Sequence, residues 1–172
     1  LSNCYINNFS SSYYREKYKI IKEKVIELKD FIANDSIFEA DRAVDFSFCK
    51  FTGKEVDFSN SHFGNGNLSF YSSMFSNANV DFSNTSYSEG NNSFQYTKFG
   101  NGELSFENAS FINGNLSFIN TKFGNGNANF KNINFGNGDV MFSFSIFGKG
   151  SKSFDRCVFN GLYVDFSKVE FG

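Results

Sequence analysis

The chain has 172 residues, 26 of them Phe, with no Trp and no Pro. Sixteen basic against eighteen acidic residues leave a formal charge of −2, which gives no basis in total charge for attraction to nucleic acid or for a strongly acidic surface. No apolar run approaches membrane-spanning length, and Cys4, Cys49 and Cys157 are too scattered and odd in number for a disulfide framework or a zinc cluster, so reduced thiols and a cytoplasmic location are expected. The chain starts at Leu1 without a Met and shows no signal peptide, as a fragment of a longer protein would.

Residues 1–35 read as an N-terminal segment. Within it Tyr14, Tyr18, Ile21, Val25, Leu28 and Ile32 recur at steps of three and four, which predicts an amphipathic helix over about 12–34. Arg15, Lys17, Lys19, Lys22, Lys24 and Lys29 fill much of its other surface. A helix of this kind would cap the first coil of a repeat array. Ser36-Ile37-Phe38 resembles Ser145-Ile146-Phe147 and reads as a degenerate half repeat, separated by one inserted residue from the regular frame.

From Phe46 to Phe171 aromatic residues fall in alternating steps of five and seven: 46 and 51, 58 and 63, 70 and 75, and so on through eleven twelve-residue repeats. Twenty-one of the 22 framed positions are Phe and the other is Tyr87. Internal repetition of this strictness defines a solenoid or array before any other feature is considered. Ser105 to Leu116 is a clean copy: Asp or Ser, Phe, a variable residue, Asn, a small residue, a variable residue, Phe, then a Gly- and Asn-rich stretch ending in Val or Leu.

Triplets such as Val56-Asp57-Phe58 and Val80-Asp81-Phe82 alternate apolar and polar, the signature of very short strands. The Gly-Asn-Gly triplets, such as Gly64-Asn65-Gly66, would supply positive-φ residues at the corners between them. The fold expected over 36–172 is therefore all-β: a parallel β-helix, with Phe stacks inside and Asn ladders at the turns. Its structural core would be Phe58, Phe63, Phe70, Phe75, Phe82, Phe94, Phe99, Phe106, Phe111, Phe118, Phe123, Phe130 and Phe135. A coil of 12 residues is too narrow for two aromatics and an aliphatic, so native packing density favours 24 per coil. Phe58 should then stack on Phe82 rather than on Phe70.

Few residues offer chemistry. His62, the single histidine, falls at an outward position with no evident partner, while Cys49 and Cys157 occupy the small inward position and read as buried apolar residues. Asp45, Asp57, Asp81 and Asp165 share the first position of the repeat, but Ser interrupts them too irregularly for a calcium ladder. No Gly-rich loop precedes a helix. No catalytic, cofactor-binding or metal site is expected, and the chain does not read as an enzyme.

Small residue, variable residue, Phe at five-residue steps, as in Ser61-His62-Phe63 and Thr121-Lys122-Phe123, resembles the pentapeptide-repeat family over about residues 45–172. The resemblance implies a right-handed parallel β-helix of near-square section, although the seven-residue step exceeds the family's five. It also implies an alternative function. Some members resemble duplex DNA and occupy the DNA site of type II topoisomerases. Residues 45–172 carry nine basic and eleven acidic residues, too balanced for such mimicry.

The function expected is a non-catalytic scaffold that binds a protein partner through the variable third, sixth, eighth and eleventh positions, with neither membrane nor nucleic acid as partner. Phe48 and Phe144, where Asn is usual, stand out as surface apolar residues. At the far end Phe159, Phe166 and Phe171 with Val164 and Val169 would form an open apolar disc, for which a C-terminal end-to-end homodimer is the expected remedy.

Overall fold

The computed structural model describes residues 2–21 and 25–172, which wind into a parallel β-solenoid of about six turns. Each strand has only two or three residues. Segments so short hold together because the equivalent segment of the next coil lies parallel beside them. Paired residues are 24 apart: Val56 with Val80, Val80 with Leu104, Phe75 with Phe99. One coil is thus two repeats. Phe58 stacks face to face on Phe82 at 5.0 Å and 2°, whereas it meets Phe70 edge-on at 5.7 Å and 81°.

Each coil runs over four faces. Face I holds His62–Phe63 and its equivalents, face II Asn67–Ser69, face III Met74–Phe75 and face IV Asn79–Asp81. The five-residue step crosses from face II to face III and from face IV to face I. The seven-residue step makes the two longer turns.

Inside, the frame forms four aromatic columns, of which Phe46, Phe70, Phe94, Phe118 and Phe142 are one, with rings 4.8 to 5.2 Å apart. Neighbouring columns meet edge to face, as Phe94 meets Phe106 at 90°, the geometry the ring quadrupole favours. None of the thirteen Phe expected in the core is more than 4 % exposed. Aliphatic columns complete the filling: Val44, Leu68, Leu116 and Val140 behind face II, and Val56, Val80, Leu104 and Ala128 behind face IV. Asn92 interrupts the first, buried between Leu68 and Leu116 with its amide donating to Gly90 O at 3.0 Å.

Each polar position of the repeat has a backbone task. At the first position Asp57 and Asp81 accept from the N–H groups of Ser59 and Ser83, two residues on, at 2.8 and 2.7 Å, which closes an Asx turn. The fourth position takes the left-handed conformation in every copy from Phe48 to Lys168. At the fifth, buried hydroxyls reach the coil before: Thr97 donates to Phe70 O at 2.7 Å and Thr121 to Phe94 O at 2.6 Å.

The glycines serve a different need from the one expected. Only Gly124 and Gly136 have positive φ. Most of the others are small because coils approach closely: a Cβ on Gly114 would lie 1.8 Å from Gly90 O, and one on Gly126 equally close to Gly102 O.

The N-terminal segment also differs from expectation. Helix α1 spans only Ser11–Lys17, while Ile26–Leu28 and Phe31–Ile32 are strands paired with Cys49–Phe51 and Val56–Asp57. Lys22 and Lys24 lie outside the described residues. Solenoid pairing begins at Tyr5–Asn7, which lies beside Ile37–Glu39, rather than near Ser36. The apolar spacing of this stretch fits a helix, but Ile26-Glu27-Leu28 also alternates with period two. A ready-made parallel edge decides between the two. Helix α1 docks on the same edge, where Ser11 donates to Ser47 O at 2.8 Å and Arg15 to Phe48 O at 2.7 Å. As expected, Phe38 belongs to the array and stacks on Phe63 at 4.8 Å.

Candidate functional site

A coil of 24 residues separates the fourth-position residues into two columns. At the corner from face IV to face I they are Asn60, Asn84, Asn108, Asn132 and Arg156, and at the corner from face II to face III they are Phe48, Ser72, Tyr96, Asn120, Phe144 and Lys168. All are left-handed, a conformation that costs an ordinary L-residue about 1–2 kcal/mol and that Asn tolerates best. The first corner uses the low-cost residue and adds a ladder, with Asn84 donating to Asn60 at 3.1 Å and Asn108 to Asn84 at 3.0 Å. The second places Phe48, Tyr96 and Phe144 in the same backbone state with 39, 47 and 47 % of their surface exposed. The strain is held here at positions that do not fill the core.

Tyr71 links two aromatics of this second corner, edge-on to Phe48 at 5.6 Å and to Tyr96 at 5.5 Å. Cations lie over its two ends: the Arg15 guanidinium is 5.8 Å from the Phe48 ring and the Lys168 ammonium 4.7 Å from that of Phe144. Face III begins beside this corner. Its outward column includes Lys50, Met74, Lys98, Lys122 and Ile146 on successive coils. Lys50 is paired with Glu27 of the previous coil at 2.8 Å. Lys98 and Lys122 are exposed, adjacent, and without an ion pair among the described residues. Between corner and face lies a groove of about 350 Å³ lined by Ser72, Met74, Tyr96, Lys98, Asn120 and Lys122.

The residues weighed for chemistry are dispersed. His62 is half-buried and its Nδ1 lies 2.8 Å from Ser86 Oγ on the next coil. Cys49 is buried, and desolvation pushes its thiol up to about 11. Burial likewise raises Cys157, whose Sγ lies 2.8 Å from Phe130 O. Asp45 keeps a lowered pKa: burial raises it, but hydrogen bonds from Ser12 and Ser47 outweigh that effect. Among the described residues no three His, Cys, Asp or Glu are placed to hold a metal ion, and no helix is long and apolar enough to cross a membrane. At the last coil Phe159, Phe166 and Phe171 are far more exposed than the frame residues they stack on.

Sequence reasoning singled out Phe48 and Phe144 but passed over Tyr96 and Tyr71. The signal was present. Sorting fourth positions by 24 rather than 12 separates an Asn column from a mixed aromatic one.

Fold and surface together define a β-solenoid repeat protein with one aromatic corner. No protein-family model matches the chain, and neither does any curated protein or any solved structure.

Proposed function

We propose that the chain is a non-catalytic scaffold whose aromatic corner and adjoining face III bind a protein partner. The observation that carries this reading is the difference between the two corners. The backbone needs only a left-handed residue, which Asn supplies at four of the five positions of one corner, yet the other spends three of its six positions on exposed Phe and Tyr. Exposed aromatics with apolar neighbours and flanking cations are the chemistry of contact surfaces. Kinship with the pentapeptide-repeat proteins is part of the same proposal, supported by four faces per coil. DNA mimicry has weaker support. Glu55, Asp57, Asp81 and Glu103 gather on face IV, but Lys98 and Lys122 stand on the neighbouring face.

Affinity capture from source-cell extract tests the reading, comparing the native chain with Phe48→Asn/Tyr96→Asn/Phe144→Asn and with Asn84→Ser/Asn108→Ser. A specific partner should be lost with the first variant and kept with the second. Identical capture by all three would refute a role for the aromatic corner.

A further inference from the structure

Resting on the scaffold reading, we propose that the groove between the aromatic corner and face III takes an extended acidic segment of the partner protein. The argument starts from the parallel register. Lys98 and Lys122 are bridge partners on adjacent coils, so two ammonium groups project side by side from rungs about 4.8 Å apart, an arrangement that is unfavourable unless neutralised. The same column shows what neutralises such a lysine: Lys50 holds the carboxylate of Glu27, one rung away, at 2.8 Å. Lys98 and Lys122 lack that carboxylate among the described residues.

The groove supplies the remaining contacts. Tyr96 and Met74 offer apolar surface, both more than a third exposed, and Ser72 and Asn120 offer polar groups beside them. Its volume of about 350 Å³ lies at the low end of ligand-sized clefts, enough for a few side chains of a peptide. An extended chain advances about 3.3 Å per residue, so carboxylates at neighbouring or alternate positions both come within reach of two flexible lysines. Single-stranded nucleic acid would also find aromatic rings and cations here. It is the poorer fit, because a polyanion long enough to bind would meet Glu55, Asp57, Asp81 and Glu103 on the next face.

Fluorescence anisotropy on the full chain tests the proposal with three labelled probes: a peptide alternating Glu and Leu, the same peptide with Gln for Glu, and oligothymidine. The Glu peptide should bind saturably and more weakly as salt rises. Lys98→Gln/Lys122→Gln should weaken it about ten-fold, as the loss of two charge contacts implies, and Tyr96→Asn should weaken it several-fold. Lys131→Gln/Arg156→Gln, which removes the same charge at the opposite corner, should change it less than about two-fold, and the Gln peptide should bind as weakly as the lysine variant. Absence of saturable binding would overturn the proposal. So would equal loss in the two charge variants, or tighter binding of oligothymidine with the same lysine dependence. Failure here with partner capture still dependent on Phe48, Tyr96 and Phe144 would remove the acidic segment and leave the scaffold reading standing.

Discussion

The corner after Phe58, Phe82 and Phe106 and the corner after Phe70, Phe94 and Phe118 follow one backbone rule with opposite side-chain solutions. At both, the third residue after the strand-like first position turns left-handed, and a small buried residue two positions before the next Phe sends its side chain inward. At the first corner Asn answers the backbone demand and links to the coil before it. At the second, Phe48, Tyr96 and Phe144 accept strain and remain in water. The difference separates what the solenoid needs in order to fold from what it has been free to vary.

The largest effect expected lies inside that shared frame. Phe106→Ala should destabilise by about 3–5 kcal/mol, since a full ring leaves a stacked column at a site that cannot collapse. Urea denaturation measures this, and a midpoint equal to the native one would mean that the frame does not carry the core. Placing the aromatic solution at the Asn corner comes next: Asn84→Tyr should cost about 1–2 kcal/mol through left-handed strain and loss of two ladder bonds. A neutral result would erase the distinction between the corners.

Asn92→Leu should raise stability by about 1 kcal/mol, because it continues the Leu68 and Leu116 column and removes a buried amide. Calorimetry would show a higher Tm. A lower one would mean that the bond to Gly90 O is needed to hold the turn.

The smallest effect is a dependence on acid. Asp30 is held below the ordinary carboxylate range by the N–H groups of Lys54 and Glu55, and Asp45 by Ser12 and Ser47. Their contribution is complete above the unfolded value of about 3.9 and is lost as pH falls through the lower folded values. Both side chains tie the irregular first coil to the array, so that coil should loosen before the middle coils between about pH 4 and 2, and so should the last coil, where the Ser167 N–H holds Asp165 low in the same way. Hydrogen exchange followed from about pH 5 down to about pH 2 would detect it, and uniform loosening would contradict this.

Much of this architecture was legible because a Phe every five and seven residues leaves one periodic solution, and because packing alone favours 24 residues per coil over 12. The N-terminal stretch was not, since Ile21, Val25, Leu28 and Ile32 satisfy a helical spacing that local pattern cannot distinguish from strands beside a waiting edge. The role of Gly66 was misassigned for a related reason. Sequence shows that a residue is small, but only the approach of Ala40 O shows why. The proposed binding surface was half legible: Phe48 and Phe144 break the Asn pattern visibly, whereas Tyr71 and Tyr96 become a stripe only when coils are stacked.

The claim that the aromatic corner serves contact rather than folding is tested most directly by urea unfolding of Phe48→Asn/Tyr96→Asn/Phe144→Asn. Relief of left-handed strain should offset the lost ring contacts, which leaves stability within about 1 kcal/mol of the native chain. A loss of about 3 kcal/mol or more, comparable to Phe106→Ala, would place these rings in the core and contradict the account.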